Sequence, residues 1–397
     1  MSENIRTIFR KDVYLCIVSV RSEDMDRMKL HVVAFQIPSP PTYGGVMDVF
    51  YRLRALKQAG VFVILHCFQY GGREVDEQLR SVVDEVRLYQ RRMGWRSQLS
   101  FRPYIVASRA DVQLLRDLQA DDAPILFEGL HTCRYLNHPS LRNRRRWVRM
   151  HNVEHDYYSG LAKVSRLGWR RLYFRIESLK LRLFEPVLRY ADHILAISDS
   201  DGEYFRKRYP KVPVNVMFPF YNDEQHAEHR GLGDFILYHG NFEVPENRAV
   251  ADYIVSRVLP NSPMPIVIAG KDASTLRAYC DANDRLCFVC DPSETEMSLL
   301  MREAHVHLLL TFQPTGLKLK LLNALHQGAF VVANRAMLAG SGLEDACLVA
   351  DDEVEILETL NRLSCRQWSD SDQIQREQYL LPYANANKLQ SLLQILK

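Results

Sequence analysis

Short apolar runs rich in β-branched residues alternate along this chain with segments whose apolar residues recur at helical spacing. In the first half we predict strands at residues 29–35, 61–68, 124–130, 146–152 and 193–198. A Pro- and Gly-rich loop and a helical pattern over 46–60 lie between the first two of these strands. A strand, a loop, a helix and a second strand form the βαβ unit of a parallel sheet.

A second series of the same kind follows the polar stretch 223–234, which we predict to be a linker. Its predicted strands are residues 235–241, 264–271, 286–290, 306–312, 329–334 and 346–350. The length of 397 residues also favours two domains. We therefore predict an α/β protein with Rossmann-like domains over 28–222 and 235–375. Residues 376–397 are predicted to be a C-terminal helix, for which packing on the N-terminal domain is one option.

Composition narrows the class of protein. A hydrophobic content of 47% and a charged content of 25% are typical of a soluble globular chain, and a net charge of +3 argues against a nucleic-acid binder. The eight cysteines are scattered and require no disulfides, so a reducing cytoplasm fits. We expect Cys287 and Cys290 to be buried thiols of a strand. Residues 1–27 lack a signal-peptide pattern, and we expect an extension before a functional start at Met28.

Unusual polar residues follow several predicted strands of the first series. Gly44 and Gly45 open a helix and leave backbone N–H groups bare, which suits a phosphate or a sugar. Two further groups follow later strands: Glu128 and His131, and then His151, Asn152, Glu154 and His155. The last group has the H-x-x-E-H order of a zinc motif, but it follows a strand where that motif needs a helix. We prefer hydrogen bonding to a sugar or phosphate over a metal site.

The second series ends its strands in a similar way. Gly240 and Asn241 follow one strand, and Gly270 and Lys271 follow the next. A further strand is followed by Gly316 and a helix whose first residues include Lys318 and Lys320. Cations at a helix start oppose its dipole, so a diphosphate is the natural partner for these lysines. The alternative is two solvated lysines on a surface turn.

Four stretches of the chain resemble GT-B glycosyltransferases, in particular the retaining, family 4-like group of bacterial sugar transferases. They are "IPSPPTYGGVMDVFYRLRALKQAG", "MHNVEHDYY", "YHGNFEVPENRAV" and "TGLKLKLLNALHQGAFVVAN" followed by "GSGL". The last is similar to the family's Gly-x-(Arg/Lys)-x-Lys-Leu-Leu-Glu-Ala-Leu stretch. The resemblance runs from about Lys29 to the C-terminus and implies two Rossmann-like domains that face each other across a cleft.

The resemblance also implies roles for individual residues. Lys320 becomes the phosphate-binding lysine with Lys271 as its helper, and His151 lies beside the transferred sugar. Asn323 stands where the family has a ribose-binding Glu, and Thr315 replaces an acidic residue eight positions earlier. The donor-binding set implied for this chain is Gly44, Gly45, Gly240, Asn241, Gly270, Thr315, Gly316, Leu317, Lys318 and Asn323. The acceptor-side set is Glu128, His131, Asn152, Glu154 and His155.

The implied activity is transfer of a sugar from a nucleotide-sugar donor to a glycan or lipid-linked acceptor, with retention, in bacterial surface polysaccharide synthesis. No metal and no other cofactor is expected. We read the "DSD" triplet at 199–201 as a helix start capped by Ser200 or Asp199, and the triplet at 370–372 as a surface loop. An epimerase or hydrolase of the same fold and a non-catalytic sugar-nucleotide binder remain alternatives.

A basic amphipathic stretch at residues 163–190 leaves a further question open. One interpretation is a helix that packs on its domain through its apolar residues and exposes a solvated basic face. The other is peripheral contact with an anionic membrane on the cytoplasmic side, where a lipid-linked acceptor would be met.

Overall fold

Parallel strands joined by helices dominate the computed structural model, which describes residues 28–41, 44–165, 168–223, 233–273, 284–312 and 319–396. The chain divides into two units. The first contains the described residues up to Phe220 and the last helix, and the second is Tyr221–Ala384. Residues 1–27 and most of the predicted linker, residues 224–232, lie outside the described part.

The first unit contains a seven-stranded parallel sheet in the order β3-β2-β1-β4-β5-β6-β7. Its strands are β1 (Lys29–Ala34), β2 (Phe62–Gln69), β3 (Glu85–Gln90), β4 (Ile125–Glu128), β5 (Arg146–Met150), β6 (His193–Ala196) and β7 (Val214–Val216). From β1 the chain adds β2 and β3 toward one edge of the sheet. It then returns to β4, on the other side of β1, and adds β5, β6 and β7 toward the opposite edge. A crevice therefore opens at the carboxyl ends of β1 and β4, where such sheets bind ligands.

Helices cover both faces of this sheet. They are α1 (Gly44–Gln58), α2 (Glu77–Ser81), α3 (Trp95–Gln98), α4 (Tyr104–Ala107), α5 (Val112–Leu118), α6 (Glu154–Val164), α7 (Gly168–Phe184) and α8 (Asp199–Arg208). Within β1, Leu30 and Val32 belong to one buried core and Val33 to the opposite one. Side chains of a strand alternate between faces, so a strand that is covered on both sides has apolar residues in succession, as at Val32, Val33 and Ala34.

The second unit contains a six-stranded sheet in the order β10-β9-β8-β11-β12-β13. Its strands are β8 (Ile236–His239), β9 (Ile266–Gly270), β10 (Leu286–Cys290), β11 (Val306–Leu309), β12 (Phe330–Ala333) and β13 (Leu348–Val349). All described pairings in this sheet are parallel. The direction of the chain reverses between β8 and β11, so the carboxyl ends of these two strands mark the second crevice.

Seven helices of the described residues complete the fold. They are α9 (Pro245–Tyr253), α10 (Glu294–Glu303), α11 (Leu319–Gln327), α12 (Arg335–Leu338), α13 (Glu353–Ser364), α14 (Asp370–Leu380) and α15 (Asn385–Leu396). A π-helical turn, Ile254–Val258, extends α9. Where the sequence predicts one terminal helix over 376–397, the structure has α14 and α15. In α15, Leu392, Leu393 and Leu396 join the core of the first unit, and Lys388 Nζ donates to Pro219 O.

Several local predictions from the sequence are wrong. Ser198 caps α8 through its side chain, and Ser369 caps α14 with a capping box, so the second "DSD" triplet is a helix start and not a loop. The basic helix ends at Phe184, and Glu185–Tyr190 continues as a 3₁₀ turn with Pro186 at its start. Cys287 is exposed on β10, which is an edge strand of the second sheet.

Two further features concern the cysteines and the length of the helices. The six described cysteines are free thiols: Cys67, Cys133, Cys287, Cys290, Cys347 and Cys365. None of the helices within the described ranges combines the length and the apolar character that crossing a bilayer requires.

Candidate active site

The carboxyl ends of β1, β4 and β5 and the start of α1 bring several predicted site residues together. The ring of Phe35 lies 5.4 Å from that of His131 and 5.5 Å from that of His151, measured between centroids. A Cβ at Gly45 would lie 3.2 Å from Phe35 Cζ and 3.8 Å from His151 Nδ1. The missing side chain therefore lets the helix start approach the Phe35 ring closely, with His151 next to it. Gly44, one position earlier, is exposed.

A buried network of charged side chains holds His151. Its Nε2 lies 3.1 Å from Glu128 Oε2, and its Nδ1 lies 4.0 Å from Asp48 Oδ2. Arg52 donates from Nη1 to Asp48 Oδ2 at 2.9 Å and from Nη2 to Glu128 Oε1. Arg149 donates from Nε to Asp48 Oδ2 at 3.0 Å. The four charged side chains of this network are at most 1% exposed: Asp48, Arg52, Glu128 and Arg149.

The charges of this network balance each other. Burial alone would raise the pKa of Asp48, but Arg149 and Arg52 outweigh it and hold that pKa far below its usual range. Burial opposes the charge of Arg52, yet Asp48 and Glu128 raise its pKa. Both oxygens of Glu128 are occupied, one by Arg52 and the other by His151. Glu128 therefore orients the imidazole, and a direct contact with an acceptor would require these bonds to break.

The same residues are the potential metal-ligating group found in the described part of the chain. Asp48, Glu128 and His151 offer ligand atoms within 4.8 Å of one another. Both carboxylates already accept hydrogen bonds from arginine side chains. A cation at this point would compete with two buried guanidinium groups for the same oxygens. This donor set fits a hydrogen-bonding network better than a metal centre, and the expectation of no metal stays a prediction.

His131 and Glu154 form a second pair beside this network. His131 Nδ1 lies 3.7 Å from Glu154 Oε1, and this buried nitrogen has no hydrogen-bond partner among the described residues. Burial raises the pKa of Glu154 to about 8. Burial, together with the charge of Arg109, lowers the pKa of His131 well below its ordinary value. Both side chains are therefore neutral at pH 7, which suits hydrogen bonds with sugar hydroxyl groups better than binding of an anion.

His155 has a different environment from the other predicted acceptor-side residues. Its Nδ1 lies 3.0 Å from Glu185 Oε2, and the hydroxyl groups of Tyr204 and Tyr209 donate to Glu185 Oε1 at 2.7 and 2.8 Å. Burial alone would raise the pKa of Glu185, but these hydrogen bonds lower it. His155 therefore ties α6 to the following helical elements. Asn152 is half-buried in the turn before α6.

In the second unit, two glycines join the carboxyl ends of β8 and β9. Gly270 has a φ of +147°, and a Cβ there would lie 1.9 Å from Gly240 O. Asn247 packs against Gly240, and its Nδ2 donates to Asn241 O at 2.8 Å. Of the predicted donor-binding residues, Gly240 and Asn241 are half-buried at this edge of the sheet, whereas Gly270 is buried with its backbone packed against that of Gly240.

Lys271 follows Gly270 at this edge. Its Nζ lies 2.9 Å from Glu243 Oε2, and the two side chains are 62% and 53% exposed. Such a pair in contact with water contributes little to stability. The ammonium group can therefore exchange Glu243 for an arriving phosphate at small cost in free energy.

Lys320, in the first turn of α11, reaches the end of the central strand β8. Its Nζ lies 5.3 Å from the ring centroid of Tyr238. His239 ends β8, and burial, with the nearby charge of Lys320, lowers its pKa to about 3. The imidazole is therefore neutral at pH 7, and the positive charge at this point belongs to the lysine. A helix start and an ammonium group together favour an anion.

Asn323 lies one helical turn after Lys320. Its side-chain Oδ1 is buried and has no hydrogen-bond partner among the described residues. An unsatisfied buried oxygen costs about 1–3 kcal/mol, so a donor group of a ligand would find a ready acceptor here. Four further predicted donor-binding residues fall on 313–318, outside the described residues: Thr315, Gly316, Leu317 and Lys318.

Sequence reasoning predicted Glu128 but missed the other three charged residues of the network around His151. Asp48 and Arg52 stand four positions apart on the apolar face of α1, and Arg149 lies inside the apolar run of β5. A charged residue at a buried position of a periodic pattern needs a partner. Charged residues within these apolar patterns could therefore have been predicted to have buried partners. Which residues are the partners depends on the topology of the sheet.

Solved structures share this architecture over nearly the whole chain. Sucrose-phosphate synthase from Thermosynechococcus elongatus superposes with a TM-score of 0.65 at 15% identity, covering 93% of this chain and 98% of that one. Anabaena HepE, solved with UDP and glucose, gives 0.60 at 14% identity, covering 93% and 99%. Both are GT-B proteins. The chain has the GT-B fold. The two parallel sheets described above are the Rossmann-like domains of the GT-B fold, as the sequence resemblance predicted.

Sequence comparison adds a relative that matches most of the chain. A protein of Klebsiella pneumoniae, named as an uncharacterized 44.6 kDa protein in cps region, is 24% identical over 350 residues, which cover 82% of this chain and 88% of the relative. No family model matches the chain. The assignment to the GT-B fold therefore depends on structure, and the roles of individual residues stay predictions.

Proposed function

We propose that this protein is a glycosyltransferase that moves a sugar from a nucleotide-sugar donor to a glycan or lipid-linked acceptor. The observation that carries the proposal is the position of Lys320 beside Tyr238 of β8, with the unsatisfied buried oxygen of Asn323 one helical turn further along α11. An ammonium group and a buried hydrogen-bond acceptor one turn apart match a phosphate and a sugar hydroxyl in one ligand. The GT-B fold supports this choice of ligand.

The donor is assigned to the second unit. We propose that its diphosphate contacts Lys320, Lys271 and the half-buried backbone at Gly240, and that a ribose hydroxyl donates to Asn323. The GT-B protein HepE was solved with UDP and glucose, which makes a uridine nucleotide the first donor class to test. Stabilisation by a ligand grows with its concentration relative to its dissociation constant. A thermal-shift panel of UDP, GDP, ADP and CMP will therefore identify the base.

The reaction asks for little covalent chemistry from the protein. The bond between the anomeric carbon and the diphosphate oxygen breaks, and the electron pair leaves with the nucleoside diphosphate. The acceptor oxygen bonds to the same face of the sugar, and its proton passes to the departing phosphate. Lys320 and Lys271 would stabilise the charge that grows on the phosphate. This scheme retains the anomeric configuration, which proton NMR of the product will establish.

The first unit supplies the residues that we assign to sugar and acceptor hydroxyls. His151 is oriented by Glu128 and approached by Gly45, and the neutral pair of His131 and Glu154 lies beside it. These imidazole and carboxyl groups suit hydrogen bonding to neutral hydroxyls. A bacterial surface polysaccharide is the proposed context, supported by the resemblance to bacterial sugar transferases and by the relative named for a cps region.

One experiment separates this proposal from its rivals. The full chain is incubated with each sugar nucleotide, with and without lipid-linked acceptors and with EDTA in a parallel series. Acceptor-dependent release of nucleotide, unchanged by EDTA, is the expected result. Donor conversion without an acceptor would identify an epimerase or hydrolase. Binding without any turnover would identify a non-catalytic binder.

A further inference from the structure

The helix α7 carries an apolar stripe that faces water. Its members are spaced by three and four residues, so they share one side of the helix. They are between 45% and 73% exposed: Trp169, Leu172, Ile176, Leu179 and Leu183. Helix α7 is instead anchored through another face, where Glu177 and Leu181 are buried. The apolar stripe therefore has no partner within the described residues of its unit.

The charged residues of α7 that lie beside the apolar stripe are all positive. At about 100° per residue, Arg171, Arg175 and Arg182 fall on the strip of surface directly beside it. The one acidic residue of α7, Glu177, is 1% exposed and is bonded to Lys180 Nζ at 2.8 Å. No negative charge of this helix therefore faces outward beside the apolar stripe.

A second exposed apolar group lies next to α7. Lys180 Nζ donates to Gln98 O at 3.3 Å, which fixes the segment around α3 beside the helix. This segment exposes Trp95 by 66%, Leu99 by 75% and Phe101 completely. Aromatic and leucine side chains exposed to this degree indicate a surface that is covered by something else.

The same segment borders a basic pocket. The pocket has a volume of about 450 Å³, and we call it the arginine pocket after four of its lining residues: Arg92, Arg96, Arg102 and Arg134. No acidic residue lines it in the described part of the chain. Arg134 Nε is buried there without a hydrogen-bond partner in the described ranges. Burial and the neighbouring charge of Arg134 lower the pKa of Arg102, so these like charges repel each other until an anion arrives.

We propose that the apolar stripe, the segment around α3 and the arginine pocket form a docking surface for an anionic lipid bilayer, with a lipid phosphate in the arginine pocket. The apolar side chains enter the interface, while the flanking arginines meet lipid phosphates. A free phosphate ion could occupy the arginine pocket, but it would not cover the exposed apolar side chains. A second copy of the chain on this surface would bring the arginines of both copies close together, and their like charges would repel each other. The inference goes beyond the proposed transfer reaction and does not depend on it.

Intrinsic fluorescence offers a direct test, because the tryptophans divide into two classes. Trp95 and Trp169 lie on the docking surface, whereas Trp147 and Trp368 are at most 9% exposed. The full chain is mixed with phosphatidylcholine vesicles, with or without phosphatidylglycerol. We expect a blue shift and sedimentation with the anionic vesicles at low salt, reduced at high salt. The shift should disappear in a Trp95→Phe/Trp169→Phe variant that still sediments.

Charge variants separate the docking surface from general attraction. Arg171→Gln with Arg175→Gln should weaken partitioning about fivefold per arginine, hence about 25-fold for the pair. Arg206→Gln with Arg208→Gln changes the net charge equally on α8 and should leave partitioning within about twofold. Leu172→Ser with Leu179→Ser should weaken it about tenfold or more per leucine. Circular dichroism confirms that each variant is folded.

Four results would overturn the proposal. They are equal partitioning to neutral and anionic vesicles, a loss in the α8 control as large as that of the Arg171/Arg175 variant, and a blue shift caused by inorganic phosphate alone. The fourth is a dimer in analytical ultracentrifugation that becomes a monomer with Leu172→Ser and Leu179→Ser. That last result would identify the apolar stripe as an interface between copies of the chain.

Discussion

Replacing Glu128 by glutamine tests whether the buried charge network positions His151. The carboxamide has the shape of the carboxylate but lacks its negative charge. Arg52 donates to one oxygen and His151 contacts the other, so one of them would face an amide N–H group instead of an acceptor. Arg52 would also keep its buried charge with only Asp48 as a counterion. We therefore expect both the fold of the first unit and the orientation of His151 to suffer.

The expected loss of folding free energy is large because the charged side chains are buried. Glu128 and Arg52 are at most 1% exposed, and removal of one partner of such a pair costs about 3–5 kcal/mol. For a unit of this size the melting temperature should fall on the order of 10 °C. Glu85→Gln is the matched control. Glu85 pairs with Arg87 at 3.0 Å on the same sheet, but its side chain is 44% exposed, so its loss should cost less than about 1 kcal/mol.

Urea denaturation followed by tryptophan fluorescence is the assay, since Trp147 is buried in the core of the first unit. The single variants Glu128→Gln and Arg52→Gln and their combination form a double-mutant cycle. We expect a coupling free energy above about 1 kcal/mol, together with a lower kcat for transfer. If Glu128→Gln unfolds like the Glu85→Gln control, or if the two single variants are simply additive, the network does not hold His151 as we describe.

Three further predictions concern single residues. Asn323→Ala should raise the donor KM with little change in kcat, and Asn323→Glu should tighten donor binding; loss of binding in the Glu variant would refute the ribose assignment. Since burial raises the pKa of Glu154 from 4.5 to about 8, the folded state holds the extra proton, so urea stability should fall as pH rises through this window, and Glu154→Gln should remove the slope. A slope unchanged in the variant would contradict this reading. Gly270→Ala should destabilise the second unit because its Cβ would overlap Gly240 O, whereas Gly160→Ala, with open space, should be neutral or stabilising by up to about 1 kcal/mol. Thermal unfolding compares the two, and equal stability would show that the close approach is relaxed easily.

The sequence pattern was sufficient for the central strands and for both edges of the second sheet, but not for the edges of the first sheet. The central strands β1, β4 and β5 contain consecutive buried apolar residues, because helices cover both faces of the sheet. The edge strand β3 exposes much of its surface, and β7 has only three residues, so neither has the continuous apolar run by which a strand is recognised. Edge strands of this kind become visible only once their neighbours in the sheet are known.

The candidate site divides in a similar way. Residues at strand ends, such as Gly45, His151, Gly270 and Lys320, follow from the rule that ligands meet the carboxyl edge of a parallel sheet. Glu128 follows from the same rule, but its place in one network with Asp48 does not, because Asp48 and Glu128 are 80 positions apart in sequence and meet only through the packing of α1 against the sheet. The apolar residues of α7 were expected to pack inward in one interpretation, but the structure exposes those of the apolar stripe.

The steady-state kinetics of Lys320→Ala test the central claim most directly. Arg302→Ala, an exposed cation on α10 of the same unit, serves as the control. With the donor identified by the nucleotide panel, we predict that kcat/KM of Lys320→Ala falls about 100-fold or more, as for the loss of one oxyanion donor, while the folded state is retained. Arg302→Ala should transfer sugar like the wild type. Normal turnover of Lys320→Ala would contradict the assignment of the donor diphosphate to this edge of the second sheet.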